Sequence, residues 1–249
     1  MSSVLLRVDA IKKVFKTKSG VLEALKGVSF DLYEGEVFGL LGANGAGKTT
    51  LSSILATLHP PTSGNIFLNG VSIYNDIAGY RDKLGFCPQS PNVNEKLTIK
   101  EQLFFAGYFY GLDKHQVKDR YKLVVDKFGL TQYVNEKPSV LSGGYKQRLM
   151  LARTLMHRPK FVIFDEPTVG LDPHIRRNLW DLILELKKDG ATILLTTHYL
   201  DEAEALSDRV CILERGKIRV IDKPDNLKAL YGSAKLEDVF IKLMQEETQ

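Results

Sequence analysis

A glycine-rich stretch, GANGAGKTT at residues 42–50, carries residue types that bind phosphate. Gly42, four further residues and then Gly47, Lys48 and Thr49 follow the apolar run Val37–Leu41 and precede a helical pattern. Glycines let backbone N–H groups turn toward phosphate oxygens, and the N-terminus of the next helix adds a favourable dipole. This spacing predicts a P-loop, in which the lysine reaches the β- and γ-phosphates of a nucleotide and the threonine hydroxyl binds Mg²⁺.

Two adjacent carboxylates follow another apolar run, in FVIFDEP at residues 161–167. Side chains alternate along a strand, so we expect Asp165 and Glu166 to point in different directions. Asp165 suits the outer shell of Mg²⁺, and Glu166 suits a general base that orients or deprotonates the attacking water. A pair of solvated acids at a strand end would look the same in isolation, but the P-loop in the same chain favours the catalytic interpretation.

Two more polar side chains follow predicted strands. His198 ends the apolar run in LLTTHYLDEAE, and Gln89 follows one in GFCPQSP. Ligands of α/β sheets collect at the carboxyl ends of the strands, so we expect His198 to contact the γ-phosphate. Gln89 is weaker evidence by itself, because a glutamine beside a proline is commonly just a loop residue.

A second anion site is predicted in LSGGYKQRLM, residues 141–150. Ser142 is a typical helix N-cap, and Gly143 and Gly144 would let a ligand approach the backbone closely. Since the P-loop already supplies a phosphate site, the sequence raises the question of what this second one binds.

Short β-rich runs alternate with helical segments, which predicts an α/β fold with parallel strands. The first strands lie close together and indicate an antiparallel edge. From Thr98 to about Met156 the pattern is helical, and the tail from Pro224 is predicted as two short helices. The predicted strands are Leu5–Asp9, Val28–Leu32, Val37–Leu41, Asn65–Leu68, Leu84–Cys87, Phe161–Phe164, Thr192–Thr196, Val210–Glu214 and Lys217–Ile221.

Composition places the chain among soluble globular proteins. It has 249 residues, of which 44% are apolar and 26% charged, and a net charge of +4 that demands no nucleic-acid partner and is equally compatible with an anionic membrane surface. Cys87 and Cys211 have no metal-like spacing and are interpreted as reduced structural thiols in the cytosol. The N-terminus has no signal-peptide pattern, and no run approaches the ~20 apolar residues that span a bilayer. We therefore expect any membrane pore to be supplied by another chain.

Taken in order, these motifs resemble those of the ATP-binding cassette (ABC) ATPases over essentially the whole chain. The P-loop, CPQ, FVIFDEP, VGLDP and TTH match the family's P-loop, Q-loop, Walker B strand, D-loop and switch histidine, and LSGGYKQRL matches the specific family signature. The resemblance implies an α/β P-loop NTPase core with an antiparallel β edge and an inserted α-helical subdomain. It divides one ABC ATPase domain into a core (about 1–90 and 159–223), the helical subdomain (about 91–158) and a helical tail (224–249).

The resemblance also answers the question of the second anion site. In this family two cassettes pack head to tail, and the signature of one contacts the γ-phosphate held by the P-loop of the other. It implies Lys48, Gln89, Glu166 and His198 as catalytic residues, and Thr49, Gln89 and Asp165 as Mg²⁺ ligands. The implied nucleotide-binding residues are Phe15, Gly42, Asn44, Gly45, Ala46, Gly47, Lys48, Thr49, Thr50, Ser142, Gly143, Gly144 and Asp172.

Two positions depart from the family pattern. Tyr145 stands where the signature usually has glutamine. Since Ser142 and the glycines remain, we expect γ-phosphate recognition to be kept and any change to fall on contacts around the ribose. Phe15 stands where the adenine-stacking aromatic is commonly tyrosine, and either ring offers a π-face.

The resemblance implies an ATPase whose ATP hydrolysis is coupled to transmembrane transport. ATP and Mg²⁺ are the expected cofactors, and a separate permease and a second cassette, identical or not, are the expected partners. The expected location is peripheral, on the cytoplasmic face of the inner or plasma membrane. Stretches such as HYLDEAEALSDRV and KLEDVFIKL look like the drug- and lipid-exporting (ABC-2 type) branch, with drug-, lipid- or polysaccharide-like cargo.

The alternative is a non-transport ABC ATPase that acts as a regulator or on the ribosome or DNA. Ribosome-acting members generally carry two cassettes in one chain, and DNA-repair members carry a long inserted coiled coil, so both are disfavoured. Three stretches receive structural interpretations. The aromatic run FFAGYFYG is either a partner-binding face or the core of the helical subdomain. The stretch KKVFKTK is interpreted as a solvated hairpin near the nucleotide, with contact to lipid headgroups as the alternative. DEAEAL is interpreted as an exposed helix start.

Overall fold

The structure, a computed structural model, describes residues 3–18 and 20–245. The last four residues of the predicted helical tail, 246–249, lie outside that part of the chain. The strands within it are β1 (Val4–Thr17), β2 (Gly20–Tyr33), β3 (Val37–Leu41), β4 (Ser63–Leu68), β5 (Val71–Ser72), β6 (Leu84–Cys87), β7 (Phe161–Asp165), β8 (Thr192–Thr197), β9 (Arg209–Glu214) and β10 (Lys217–Asp222). The helices are α1 (Lys48–Leu55), α2 (Ile77–Arg81), α3 (Ile99–Phe109), α4 (Lys114–Lys127), α5 (Gly143–Thr154), α6 (Pro173–Lys188), α7 (Leu200–Leu206), α8 (Pro224–Leu230) and α9 (Leu236–Gln245).

The strands form two sheets. An antiparallel sheet has the order β2-β1-β4-β5, and a mixed sheet has the order β10-β9-β3-β8-β7-β6. In the mixed sheet β9, β3, β8, β7 and β6 run parallel, and β10 pairs antiparallel with β9. This confirms the predicted α/β fold with an antiparallel β edge.

The central strands are buried on both faces, as parallel strands in α/β proteins are. Alternate side chains of β7 enter different apolar clusters. Phe161 and Ile163 pack in the cluster that contains α1 and the antiparallel sheet. Val162 and Phe164 pack in the cluster that contains α3, α4, α5 and α6. The carboxyl end of β7 is therefore held rigidly between two layers.

The helical insertion lies between β6 and β7 and consists of α3, α4 and α5. α3 begins with a capping box, in which Thr98 accepts from the backbone N–H of Glu101 and the Glu101 carboxylate accepts from the N–H of Thr98. α4 begins with an equivalent box between Asp113 and Gln116. α5 ends at Thr154, short of the predicted end at Met156.

The first hairpin is longer than predicted. β1 and β2 pair from Val4↔Tyr33 to Thr17↔Gly20, so the KKVFKTK stretch is its distal half. Several register shifts interrupt the pairing. Each bulge adds a residue and so interrupts the alternation of buried and exposed side chains along the strand. The distal half of the hairpin therefore shows no regular alternation of apolar and polar residues in the sequence.

One of the structural interpretations needs correction, and the two alternatives for the aromatic run each hold for part of it. In α7 the Glu202 side chain is fully buried, so DEAEAL is not simply an exposed helix start. In α3 the aromatic run is divided, because Phe105 and Phe109 are exposed while Ala106 and Gly107 are buried. The run therefore contributes both to the core of the insertion and to its surface.

Both cysteines are free and fully buried. Burial raises the pKa of the Cys87 thiol to about 12, and it also raises the pKa of Cys211. Among residues 3–18 and 20–245, no helix combines the length and the apolar content needed to cross a bilayer.

Candidate active site

The carboxyl ends of four neighbouring parallel strands meet at one edge of the mixed sheet. In the order β3-β8-β7-β6 each strand leads directly into a motif that the sequence singled out. Gly42, His198 and Glu166 directly follow β3, β8 and β7, and Gln89 follows β6 after the intervening Pro88. The topology thus collects at one edge residues that lie up to 156 positions apart in the chain.

The loop after β3 has the backbone geometry that its glycines allow. Gly45 and Gly47 have φ of 81° and 111°, a region that other residues rarely adopt. Gly47 is the N-cap of α1, which begins at Lys48. A Cβ on Gly42 would lie 2.4 Å from the carbonyl oxygen of Leu213, so the loop is also pressed against β9. The first N–H groups of α1 are directed into this loop, which is an anion-binding arrangement.

Lys48 lies at the centre of the loop with its ammonium group buried. Its Nζ donates to the carbonyl oxygens of Gly42 at 2.8 Å and Ala43 at 3.3 Å. It also lies 3.3 Å from Oε1 of Glu166. Both members of this ion pair are buried, so solvent screens their attraction little.

Glu166 is the meeting point of the predicted catalytic residues. Its second oxygen, Oε2, lies 3.0 Å from Nδ1 of His198 and accepts from Nε2 of Gln89 at 3.3 Å. Lys48, Gln89 and His198 are therefore all within hydrogen-bond or ion-pair distance of the Glu166 carboxylate. The structure brings together all four side chains that the sequence assigned to catalysis.

The backbone at Glu166 is in a left-handed conformation, with φ of 49°. A non-glycine residue in this region costs on the order of 1 kcal/mol or more, which surrounding contacts must offset. Its N–H donates to both the carbonyl oxygen and the hydroxyl of Thr196, each at 3.0 Å. This turn directs Glu166 away from the strand and toward the loop after β3.

Asp165, the last residue of β7, has different partners. Its Oδ1 accepts from the Thr196 hydroxyl at 2.5 Å. Burial raises the pKa of Asp165, and the hydroxyls of Thr196 and Ser52 and the charge of Lys48 oppose this shift. The prediction that the two adjacent carboxylates point differently is thus confirmed.

A cleft of about 700 Å³ opens beside this constellation. Its lining includes nine of the predicted site residues, which are Phe15, Asn44, Gly45, Gly47, Lys48, Thr49, Thr50, Gln89 and Glu166. Phe15 is half-buried at the distal end of the β1–β2 hairpin, and its ring lies under the ammonium of Lys13 at 5.1 Å. A cleft of this size and lining fits a nucleotide.

The wall of the cleft opposite the loop after β3 contains residues that the sequence did not predict. That wall comes from β2 and from the turn between β9 and β10, and it consists of Leu22, Glu23, Ala24, Lys26 and Arg215. The turn is fixed by two backbone hydrogen bonds, from the N–H of Gly216 to Ala46 and from the N–H of Lys26 to Gly216, both at 2.9 Å. The Arg-Gly pair between two strands could have been predicted as a hairpin turn. Its contact with the loop after β3 could not, because nothing in the local sequence indicates it.

The second predicted anion site does not line this cleft. Ser142 is the N-cap of α5 and accepts from the N–H of Tyr145. Gly143 faces open space, and a Cβ on Gly144 would lie 2.9 Å from Ile175 in the first turn of α6. Asp172 is the exposed N-cap of that helix. The structure therefore places the signature beside the D-loop and leaves both on the surface.

The donor set at the cleft fits Mg²⁺, which prefers oxygen ligands. Thr49 is exposed at the start of α1, and the Asp165 carboxylate lies behind it with Ser52 between. The amide nitrogen of Gln89 is bonded to Glu166, which leaves its oxygen as an acceptor.

Comparisons with known proteins point to one family. The ABC transporter family profile matches residues 25–169. The chain is 39% identical over 228 residues to the linearmycin resistance ATP-binding protein LnrL of Bacillus subtilis (strain 168), a match that covers 92% of this chain and 72% of LnrL. It is 37% identical over 228 residues to human phospholipid-transporting ATPase ABCA3, covering 92% of this chain and 13% of ABCA3. The chain spans 4–13% of the length of the mammalian sub-family A relatives that it matches.

Two solved structures extend the match to the fold. One is described as the ATP-binding subunit of an ABC transporter, with a TM-score of 0.86 and 31% identity over 96% of this chain and 99% of the other. Another is the dimeric post-hydrolysis state of the cassette MJ0796 bound to ADP and Pi, with a TM-score of 0.80 and 27% identity over 88% of this chain and 98% of the other.

Proposed function

This chain belongs to the ABC transporter family and is an ATP-binding ATPase cassette, and from that premise we propose that it powers export of a drug-, lipid- or polysaccharide-like molecule through a membrane permease. The observation that carries the catalytic half of this proposal is the convergence of Lys48, His198 and Gln89 on the carboxylate of Glu166.

Glu166 is the proposed general base. It is held at the edge of the cleft by the backbone bonds to Thr196, where its carboxylate can take a proton from an attacking water. Its Oε1 is paired with Lys48, the side chain that a γ-phosphate would also attract. Phosphate binding therefore competes for Lys48 and frees the carboxylate for the water.

His198 and Gln89 are the proposed partners of this base. His198 is about one-third exposed and lies between Glu166 and solvent, so its ring can orient the base or contact the γ-phosphate. Thr49, Asp165 and the Gln89 amide oxygen would hold Mg²⁺, which when bound supplies charge that stabilises the transferring phosphoryl group. Phe15 is positioned at the cleft wall to stack on the base of ATP.

The exposed signature is explained by a second cassette. Ser142 and Gly143 lie exposed at the N-capped start of α5, away from the cleft of their own chain, and Gly144 packs against Ile175 of α6. We propose that the signature completes the ATP site of a partner in a head-to-tail dimer, with Asp172 beside the contact. The relative MJ0796 is described as a dimer.

The permease is proposed to dock on a groove of about 370 Å³ next to the Q-loop. Phe105, Phe109 and Tyr110 contribute aromatic surface. Arg153 also lines the groove, and its Nη1 donates to the carbonyl oxygen of Asn92. Exposed phenylalanines of this kind mark interaction sites. Phe86 of the groove is three residues before Gln89, so movement at the cleft would reach the docked segment directly.

The helical subdomain at about 91–158 is proposed to move with this groove as one unit against the core at about 1–90 and 159–223. With a permease bound there, the cassette would lie peripherally on the cytoplasmic face of the membrane. The proposal of an exporter rests on the relatives, since one is named for linearmycin resistance and another as phospholipid-transporting.

The test is affinity purification of the tagged Glu166→Gln chain with ATP from detergent-solubilised native membranes, with mass spectrometry of the co-purifying proteins. We expect a stoichiometric polytopic membrane protein, or a polytopic segment in the same polypeptide, that is lost when ATP is replaced by ADP. Recovery only with soluble regulators, ribosomal proteins or DNA-associated proteins would exclude the transport function and leave the ATPase chemistry intact.

A further inference from the structure

A buried polar cluster lies between α6 and α7, outside the cleft. Its centre is Glu202, whose side chain is completely buried. Oε1 accepts from the indole Nε1 of Trp180 at 2.9 Å. Its other oxygen, Oε2, forms no hydrogen bond with any residue that the structure describes, and the same is true of the buried hydroxyl of Thr168.

The electrostatics of this cluster are unusual for a structural core. Burial raises the pKa of Glu202, and the nearby hydroxyls of Thr197 and Thr168 and the indole of Trp180 oppose the shift. Leaving a buried carboxyl oxygen and a buried hydroxyl without partners costs free energy. A small rotation that joins Oε2 to the Thr168 hydroxyl would satisfy both atoms with one hydrogen bond.

The neighbours of Glu202 belong to the segments that carry the catalytic pair. Thr168 follows Glu166 by two residues, and Thr197 directly precedes His198. Trp180 is in α6, the helix that begins after Asp172 of the D-loop. One side chain therefore lies beside the loop after β7, the last residue of β8 and the helix that follows the D-loop.

A second set of contacts also joins α6 to the start of α7. The guanidinium of Arg176, one turn before Trp180, lies 4.0 Å from the ring of Tyr199 and pairs with Asp201 at 3.2 Å. The Tyr199 ring packs against His198, with 4.3 Å between ring centroids. Any shift of α7 against α6 would thus move His198 relative to Glu166.

We propose that Glu202 is a positioning residue for hydrolysis, which sets the separation of Glu166 and His198 by bonding to Trp180 and, after the small rotation of its carboxylate, to Thr168, with Thr197 beside it. The inference rests on the proposed roles of Glu166 and His198. Glu202 does not touch the nucleotide cleft, so its effect is on the catalytic step and not on ATP binding.

The test compares Glu202→Leu, which keeps bulk but removes both polar atoms, with Glu202→Gln, whose amide can accept from Trp180 and donate to Thr168. We expect Glu202→Leu to lower kcat about 10-fold or more with the KM for ATP changed less than about 3-fold, because a small misplacement of catalytic groups costs rate more than binding. Glu202→Gln should keep kcat within about 2-fold of the parent. Glu204→Gln is the matched control, since Glu204 is on the same helix and pairs with Lys228.

Thr168→Val provides a second, shape-conserving variant if Glu202→Leu does not fold. It should lower kcat without raising KM. Where Glu202→Leu does fold, the double variant should be no slower than Glu202→Leu alone, as coupled residues behave. Trp180 is the only tryptophan in the chain, so its emission maximum reports directly whether the cluster stays packed in each variant.

An unchanged kcat in folded Glu202→Leu or in Thr168→Val would overturn the inference. An equal loss of kcat in Glu202→Gln, or a loss in which KM rises in proportion, would do the same by showing a general structural defect. Failure of the proposed role of Glu166 has a different signature, because Glu166→Gln would then turn over ATP normally whatever the Glu202 variants do.

Discussion

The Nδ1 atom of His198 lies 3.0 Å from Oε2 of Glu166, and the Lys48 ammonium lies 3.3 Å from the other oxygen of the same carboxylate. Lys48 and His198 are also the groups expected to attract the γ-phosphate. Because Glu166 lies between them, its carboxylate is held next to the site of the reaction. Removal of its charge should therefore stop hydrolysis without weakening the phosphate site.

Glu166→Gln should bind ATP with an affinity within about 3-fold of the parent and lower turnover by about 10²-fold or more, because the amide cannot take a proton. ATP binding can be measured by calorimetry and turnover by phosphate release. Glu237→Gln, at an exposed acid on α9, is the control and should hydrolyse normally. Ordinary turnover in Glu166→Gln would remove this residue as the base.

Ser142→Arg should prevent ATP-dependent dimers in the Glu166→Gln background while the monomer still binds nucleotide. The arginine would place bulk and positive charge at the exposed start of α5. Light scattering after size exclusion, with and without ATP, measures the effect. Ser142→Ala controls for the lost N-cap, which costs about 1 kcal/mol of stability. Dimers that persist in the arginine variant would contradict the role of the signature in trans.

Phe15→Ala should weaken ATP binding by about 1 kcal/mol or more, since it removes the aromatic surface at the cleft wall. Phe15→Tyr keeps the π-face and should bind as tightly as the parent. Calorimetric titration with ATP distinguishes the two. Equal affinities for all three proteins would show that Phe15 is part of the hairpin core and not of the nucleotide site.

Asp165→Asn should raise stability at neutral pH. The raised pKa of Asp165 means that the folded chain still holds a proton at pH values where the unfolded chain, with the ordinary value near 3.8, has lost it. Stability therefore falls as pH rises from about 4 through the folded pKa, and the penalty is complete above it. Asparagine cannot ionise and can still accept from Thr196, so the variant should unfold at a higher Tm than the parent at neutral pH.

This gain should vanish below pH 4 in thermal unfolding followed by circular dichroism. The variant should also lose Mg²⁺-dependent hydrolysis. A lower Tm than the parent at pH 7 would show that the Asp165 charge is net stabilising.

Gly216→Ala should be more damaging than Gly190→Ala. Both positions have left-handed backbone, with φ of 79° and 88°, so each substitution incurs strain of about 1 kcal/mol. At Gly190 a Cβ meets nothing within 4 Å, whereas at Gly216 it would lie 2.5 Å from the carbonyl oxygen of Ala24. We expect Gly216→Ala also to raise the Kd for ATP, because the turn at Gly216 braces Ala46. An unchanged Kd would separate the turn from the nucleotide site.

The sequence was sufficient to predict those parts of the fold and the site whose residues are neighbours in the chain. The loop after β3 is contiguous, and its glycines, Lys48 and Thr49 are needed at fixed spacing, so its geometry follows from nine residues. The buried strands were found for the same reason, since continuous apolar runs such as Val37–Leu41 have few alternatives.

Tertiary contacts account for what the sequence did not predict. Glu202 lies in an acidic stretch that reads as a solvated helix start, yet α6 covers it and Trp180 bonds to it. Arg215 carries no motif and lines the cleft only because a turn between β9 and β10 folds against Ala46. These placements depend on partners more than 20 residues away, which no local pattern encodes.

The deep burial of Cys87 and Cys211 has a practical consequence for measuring motion. Thiols are labelled as thiolates, and both native groups are inaccessible and held in the neutral form at neutral pH. The unmodified chain should therefore give almost no background with maleimide dyes. Pairs of cysteines introduced at the surface could then be labelled for distance measurements by spin or energy-transfer methods without first removing a native residue.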